Sequence, residues 1–376
     1  MNQRGKTLSA MKTDQTRYMK RAIRLAEKAR GTCSPNPFVG AVIVKNNKII
    51  SEGWTQIYGG DHAEVQALKK AGKAARGGDM YVTLEPCAHH GKTPPCTEAI
   101  IKAGIKNVHF GLLDPNPLVN GKGMLRLQEA GIEVFPGVMK PEISRQLECY
   151  LCRMNKHRPF VIWKAALSLD GKFAAQDGSS RWITGERSRK LVHQIRGEVD
   201  VILTGIGTVL ADDPLLNVRS PHPKKQPLRA ILDPKLQTPL DSRIVTSLNS
   251  QKTVFFCARG RERSPRATEL SDLGATIHPV TATGSALNLR EILGILHQMG
   301  QASVLLECGS NLSSAFFRAH LVDKCLVFYG GKILGGKKAA LSELEIPNIA
   351  SALDLKDLSC KVLDGDILVS GYPFFI

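Results

Sequence analysis

No stretch of this sequence reaches the roughly eighteen consecutive apolar residues that a membrane-spanning helix needs. The first twenty residues hold no apolar core of the kind a secretory leader carries, so export is not expected. Blocks of five or six like charges are also missing, although 51 Lys and Arg against 34 Asp and Glu leave a net charge of +17. No aromatic-interleaved basic stripe accompanies that charge. A continuous nucleic-acid groove is therefore disfavoured, and a solvated basic surface or a phosphorylated small-molecule partner is favoured. No repeat relates the two halves. No second cysteine pair accompanies Cys149 and Cys152, so their C-x-x-C reads as two helix cysteines and not as half of a closed zinc site.

What is present is an ordinary mixed composition, 43% hydrophobic, in 376 residues. That length exceeds one typical core and predicts two domains. Nine cysteines, an odd number with no leader, imply reduced thiols and a cytoplasmic protein. Met11 is an alternative start, and no element is assigned to residues 1–11.

The segment "TDQTRYMKRAIRLAEKARG" has helical periodicity, a cap signal at Thr13/Asp14 and a stop at Gly31. "FVGAVIVKNNKIISEGW" reads as two strands about a Lys45-to-Lys48 turn. Helices from His62 and from about Pro95, and at "GKGMLRLQEAG", alternate with strands at "DMYVTLE", "NVHFGL" and "IEVFPGV". This alternation predicts an α/β sandwich. A basic, mostly helical stretch ends in "RMNKHRPF", and the boundary is placed at 155–158. A second α/β domain follows. It has strands at "FVIWKAALSLDG", "VDVILTG", "LRAILD", "KTVFFC", "SVLLE" and "KCLVFYGGKILGG", and helices at "RSRKLVHQIRG", near 287–299 and after "LLECG".

Two stretches carry the first chemistry. In "DHAEVQAL", Asp61 and Glu64 alone would read as a helix capping box. "LEPCAHHGKTPPC" changes that reading, because it supplies two cysteines and a Thr93-Pro94-Pro95 helix start that places Cys96 in a first turn. A catalytic zinc takes three protein ligands and leaves its fourth position to water. His62, Cys87 and Cys96 form such a set, and Glu64 lies on the same turn as His62, within reach of the bound water, without being a ligand. In zinc deaminases an H-x-E and a P-C-x-x-C act together: water acidified at the metal attacks an amino-bearing ring carbon, and the carboxylate shuttles its proton to the leaving ammonia. Here eight residues separate the cysteines instead of two. His89 and His90 are read as pocket lining, since helix-start cysteines hold zinc more tightly.

The second half offers phosphate-turn patterns. Gly205-x-Gly207 follows a strand, but Leu210 stands where a dinucleotide fingerprint has its third glycine. "LLECGSNLSSAF" is a strand, a Gly309 turn and a helix, a geometry that aims backbone N–H groups at a phosphate. Gly330, Gly331, Gly335 and Gly336 bracket "KIL", either for close approach to a ligand or as loop geometry.

Here the chain resembles a known family. "SPNPFVGAVIV", "HAEVQAL", "VTLEPCAHHGKTPPC" and "LLDPNP" are similar to the deaminase half of the bifunctional riboflavin-biosynthesis deaminase-reductases. "KAALSLDGKFA", "SSRWIT", "TVLADDPLLNVR" and "LLECGSNL" are similar to the reductase half. The wide cysteine spacing is that family's own pattern. The resemblance implies a cytidine-deaminase-like α/β/α sandwich over 12–155 and a dihydrofolate-reductase-like α/β domain over 158–376. It implies zinc-dependent deamination of a phosphoribosylamino-diaminopyrimidine, then NADPH-dependent reduction of the ribosyl chain to ribityl. His62, Cys87 and Cys96 match the zinc ligands, and Glu64 the proton shuttle. Asn36 and Lys92 match first-substrate contacts, with Lys92 placed near the phosphate. Lys164, Ser180, Thr184, Arg196, Leu216, Arg219 and Glu307 match contacts to the second substrate. Ala166, Trp182, Thr208, Asp212 and the turn Gly309, Ser310, Asn311, Leu312, Ser313, Ser314 and Ala315 match the cofactor site. A homo-oligomer with no nucleic-acid or membrane partner is expected. The alternatives are a deaminase with an inactive second domain, a nucleic-acid deaminase, and a zinc-dependent binding module.

Overall fold

The structure, a computed structural model, describes residues 3–91, 93–220, 223 and 225–375, with side chains from residue 15 onward. Chain contacts divide it into two compact units, Met1–His157 and Arg158–Ile376. No helix among the described residues is long and apolar enough to cross a membrane.

In the first unit α1 (Gln3–Ala26) leads to β1 (Gly40–Lys45) and β2 (Lys48–Trp54). Next come α2 (Ala63–Ala71), β3 (Asp79–Leu84), α3 (Cys96–Ala103), β4 (Asn107–Leu112), α4 (Lys122–Glu129) and β5 (Glu133–Pro136). Two short helices, α5 (Lys140–Gln146) and α6 (Glu148–Lys156), close the unit. The sheet order is β2-β1-β3-β4-β5, with β1 antiparallel to both neighbours and β3, β4 and β5 parallel. Strands β1, β3 and β4 are almost continuously buried, as expected for strands covered on both faces. Pro136 is tolerated because β5 is an edge strand.

Two local expectations give way. Helix α1 runs through the Thr13/Asp14 cap signal. No glycine or proline lies between Gly5 and Gly31, and a polar helical turn presents no apolar period to read. The stretch "PEISRQLECYLCRMNK" is two helices broken at Leu147, with Cys149 and Cys152 both on α6. The capping box, already set aside in favour of a metal site, does not form. His62 is the N-cap residue of α2 with no side-chain cap, and Asp61 pairs with Lys69 at 2.6 Å.

The second unit is built on β6 (Phe160–Ser168), α7 (Glu186–Glu198), β7 (Val201–Gly205), α8 (Ile206–Asp212), β8 (Leu228–Leu232) and α9 (Arg243–Thr246). It continues through β9 (Thr253–Ala258), α10 (Pro265–Asp272), β10 (Thr276–Val280), the short strands β11 (Ala282–Thr283) and β12 (Ala286–Leu287), and α11 (Leu289–Gln298). It ends with β13 (Ser303–Leu306), α12 (Ser310–Arg318), β14 (Lys324–Gly330), β15 (Asp354–Leu363) and β16 (Asp366–Phe374). Nine strands pair in the order β10-β9-β8-β7-β13-β6-β14-β16-β15. Those from β10 to β14 are parallel, and the C-terminal hairpin joins antiparallel through β16. In such sheets ligands bind beyond the carboxyl ends of the parallel strands. The turns after β7 and β13 fall there.

Gly330, at the end of β14, has a use inside the protein. A Cβ there would sit 2.0 Å from the Ile183 carbonyl oxygen, so the glycine lets the backbone of the Ser180–Thr184 segment lie against the strand.

Candidate active sites

The first site forms where two helices begin. A Cβ on Gly53 would lie 2.1 Å from the Ala63 carbonyl oxygen. Glycine at this point of β2 therefore lets the first turn of α2 rest on the sheet, which positions His62 and Glu64. Cys96 is the first residue of α3, and its backbone N–H donates to Cys87 Sγ at 3.4 Å. His62 Nδ1 lies 3.3 Å from Cys96 Sγ and 3.7 Å from Cys87 Sγ. Among the described residues these three form the group able to hold a metal, with all donor atoms within 4.8 Å of one another. Tetrahedral zinc with bonds of about 2.3 Å to sulfur and about 2.0 Å to nitrogen sets those atoms about 3.5 Å apart, and the observed separations of 3.3 and 3.7 Å straddle that value. The donor set fits zinc in chemistry and in spacing.

The electrostatics agree. Hydrogen bonding from Cys96, together with His62, outweighs burial and pulls the Cys87 thiol down to about 4, which favours a thiolate. The Cys87 hydrogen bond holds His62 up at about 9, so metal binding at this site releases protons. Glu64 is buried beside the triad, and burial pushes its carboxyl up to about 7 against the opposing pull of His62. A carboxyl in that range can both take and return a proton near neutral pH.

A cleft of about 450 Å³ opens over these groups, lined also by Asn36, His89, Asp114, Asn116, Tyr150 and Arg153. His89 reaches the cleft with a buried, unpartnered Nδ1, whereas His90 is exposed and does not line it. Lys92 lies outside the described residues. Two acidic side chains form the far wall. Glu85 accepts backbone N–H groups of Asp114, Gly121 and Met124 at 3.0–3.2 Å. Asp114 accepts the Tyr150 hydroxyl at 2.7 Å and the Asn116 N–H at 2.9 Å. The motif "LLDPNP" contains Asp114 and Asn116, but their partner Tyr150 lies on α6, 36 residues further on.

The second site is a cavity of about 1420 Å³ at the carboxyl ends of β6, β7 and β13. It is larger than the roughly 300–1,000 Å³ of a single-ligand pocket and suits a dinucleotide beside a substrate. Lys164, Ala166, Ser180, Trp182, Thr184, Arg196, Thr208, Asp212, Leu216, Arg219 and Glu307 all line it. So do Gly309, Ser310, Asn311, Leu312, Ser313 and Ala315 of the turn into α12, while Ser314 is fully buried and does not. Gly309 is the N-cap of α12, no side chain caps that end, and a Cβ on Gly309 would meet open space. The α12 N–H groups are thus available to an anionic ligand. Gly205 and Gly207 line the same cavity.

At its centre Glu307, largely but not fully buried, lies between two cations. Arg196 donates to it from Nε at 2.6 Å and from NH2 at 3.0 Å, and Lys164 Nζ lies at 3.3 Å. Arg196 also donates to the Asn217 carbonyl at 3.2 Å. Its fork is therefore committed to the protein, and Arg219 is the arginine of the pair whose guanidinium faces solvent, bonded to Asn217 Oδ1 at 3.1 Å. His193 went unread in the sequence. It lines the cavity, and its Nδ1 accepts the Arg219 backbone N–H at 3.2 Å. Burial, reinforced by Arg196 and Arg219, lowers its pKa to about 4, so it is neutral in its role as acceptor. The H-x-x-R spacing, which puts His193 and Arg196 on one helix face, was the available signal. Leu216 holds a left-handed conformation at φ 48°. Gln251 bonds its carbonyl at 3.1 Å, and Arg229, fully buried, bonds that of Leu215 at 3.3 Å. Trp182 is 57% exposed, with the Arg189 guanidinium 4.4 Å from its ring centroid.

A zinc-type deaminase joined in one chain to a nucleotide-dependent reductase is the class of enzyme these two sites define. Residues 12–112 match the family model of the cytidine and deoxycytidylate deaminase zinc-binding region, and residues 159–369 that of the RibD C-terminal domain. The riboflavin biosynthesis protein RibD of Aquifex aeolicus is 39% identical over 352 residues, 94% of this chain and 96% of the relative. That of Escherichia coli K12 is 39% identical over 359 residues, 92% and 94% of the two chains. A solved Acinetobacter baumannii RibD superimposes with a TM-score of 0.88 at 38% identity, covering 97% of this chain and all of that one. A Thermotoga maritima diaminohydroxyphosphoribosylaminopyrimidine deaminase/5-amino-6-(5-phosphoribosylamino)uracil reductase does so with 0.85 at 35% identity and the same coverage. The chain belongs to the RibD family of riboflavin-biosynthesis proteins. It is a bifunctional deaminase and reductase with a deaminase-like and a dihydrofolate-reductase-like unit, using Zn²⁺ and NADPH.

Proposed function

We propose that the first unit hydrolyses 2,5-diamino-6-(5-phosphoribosylamino)pyrimidin-4(3H)-one to its uracil derivative. The second unit then reduces the ribosyl chain of 5-amino-6-(5-phosphoribosylamino)uracil to ribityl. The observation that carries this reading is the convergence of His62, Cys87 and Cys96 beside a buried Glu64, in the same chain as a cavity of dinucleotide size.

In the first unit His62, Cys87 and Cys96 would hold zinc, which would supply a water of pKa about 7. Glu64 takes that water's proton and returns it to the departing ammonia, a transfer its raised pKa suits. Asn36 orients the pyrimidine, and Lys92 contributes to binding the substrate. In the second unit NADPH, when bound, would supply the hydride. Ala166, Trp182, Thr208, Asp212 and the Gly309–Ala315 turn hold the cofactor, with Ser314 acting from behind through packing. Lys164, Glu307 and Arg196 form one fixed charged group at the substrate, while Ser180, Thr184 and Leu216 shape its berth. Arg219 takes the phosphate, because its fork is the one not committed to a carboxylate. We assign the functional boundaries 12–155 and 158–376, cytoplasmic location and a homo-oligomer acting on small molecules to the same reading.

The test supplies the zinc-loaded chain with the diaminopyrimidine phosphate, with and without NADPH. Ammonia release in both cases, and NADPH oxidation following it in the second, are expected. Absence of ammonia release overturns the deaminase assignment.

A further inference from the structure

The deaminase cleft has three carboxylates in its lining, Glu64, Glu85 and Asp114. A phosphate group carries about −1.5 to −2 charges at neutral pH. It enters such a cleft only if a cation meets it, because an unpaired buried charge is costly. Among the described lining residues Arg153 is the one lysine or arginine. It stands on α6 three residues after Tyr150, so both project from the same helix face. Tyr150 is committed to Asp114. Arg153 is not committed: its Nε is buried and has no hydrogen-bond partner, and no carboxylate of the described residues pairs with it. Native structures leave few buried N–H donors unpaired, and those at a cleft point to a partner from outside the chain. A planar guanidinium matches a phosphate oxygen pair better than any other side chain.

We infer that Arg153 holds the phosphate of the deaminase substrate and sets the preference for the phosphorylated pyrimidine over its dephosphorylated form. This rests on the substrate reading above. Arg153 is on a different element from the zinc donors, which come from the starts of α2 and α3 and the loop between β3 and α3. It can therefore fix the distal end of a substrate whose ring lies at the metal.

The experiment uses the full zinc-loaded chain as wild type, Arg153→Ala and Arg153→Lys. Ammonia release is measured on the phosphorylated diaminopyrimidine and on the same compound after phosphatase treatment. Zinc content and NADPH-dependent reduction of the uracil intermediate are recorded for each variant. Arg153→Ala should raise KM for the phosphorylated compound by about ten- to a hundredfold, the usual weight of a charge-assisted hydrogen bond, with kcat little changed. Arg153→Lys should fall between, since it keeps the charge and loses the fork. On the dephosphorylated compound the three proteins should agree. If Arg153→Ala does not retain zinc, the neutral Arg153→Gln, which keeps part of the stem and a polar end, replaces it. An unchanged KM on the phosphorylated compound overturns the inference, as does an equal loss on both compounds, which would assign Arg153 to the ring or the fold. If the wild type itself releases no ammonia, the substrate reading fails and this inference with it. Wild-type turnover with an indifferent alanine variant sinks the inference alone.

Discussion

Arg196 grips Glu307 with two parallel hydrogen bonds, 2.6 Å from Nε and 3.0 Å from NH2, across 111 residues of sequence. Burial pushes the Glu307 carboxyl up, but Arg196 and Lys164 outweigh it and hold the group well below the usual carboxylate range. A carboxyl whose folded value is depressed stabilises fully above its unfolded value of about 4.3, and that contribution is lost as pH falls toward the folded value. Glu307→Gln strands two half-buried cations and should destabilise the chain by roughly 3–5 kcal/mol at pH 7. The gap to wild type should narrow below about pH 4.3. Thermal unfolding of both proteins from pH 7 to pH 3 measures it, and a gap of constant size contradicts the account.

Cys96→Ala should bind far less than the roughly one zinc per chain expected of wild type. The paired substitution of Cys149 and Cys152 by alanine should keep its zinc, because both residues lie on α6 and outside the converging donor group. Metal analysis of the purified proteins decides, and normal zinc in the Cys96 variant removes that ligand from the assignment.

Glu64→Gln keeps the size and hydrogen bonding of the side chain but cannot accept a proton. Ammonia release should drop by about a hundred- to ten-thousandfold, with zinc content unchanged. A variant that deaminates at the wild-type rate would show that the proton travels by another route.

Arg219→Ala should weaken use of the uracil intermediate by about ten- to a hundredfold, the loss of a charge-assisted phosphate contact. NADPH affinity should stay close to wild type, and steady-state kinetics in both substrates separate the two effects. Michaelis constant and turnover both at wild-type values would take Arg219 out of the site.

Gly309→Val should stop reduction and leave ammonia release intact. The added side chain meets open space rather than protein, so the unit should fold, but that space lies in the cavity where α12 begins. Circular dichroism checks the fold, and NADPH oxidation with the uracil intermediate reads the loss. Undiminished oxidation would place the cofactor elsewhere.

The sequence by itself determined the alternating α/β order of both halves and singled out the cluster of His62, Cys87 and Cys96 with Glu64 beside it. Period-two and period-3.6 patterns are local, and thiolate, imidazole and carboxylate are residue types that few other roles require at such spacing. The C-terminal hairpin escaped that reading because β15 is exposed along nearly its whole length and has no buried face to impose an alternation. Tertiary structure alone decided which side chains meet. The Tyr150 hydroxyl on Asp114, the His193 nitrogen under the Arg219 amide, and the pairing of Arg196 with Glu307 all join separate elements, and packing also leaves the Nε of Arg153 open. Gly330, which on sequence alone served either a ligand or a loop, proved to admit the backbone at Ile183. Such pairings depend on how helices lie on the sheet, and that is set by packing summed over the whole core, which leaves no periodic trace along the chain.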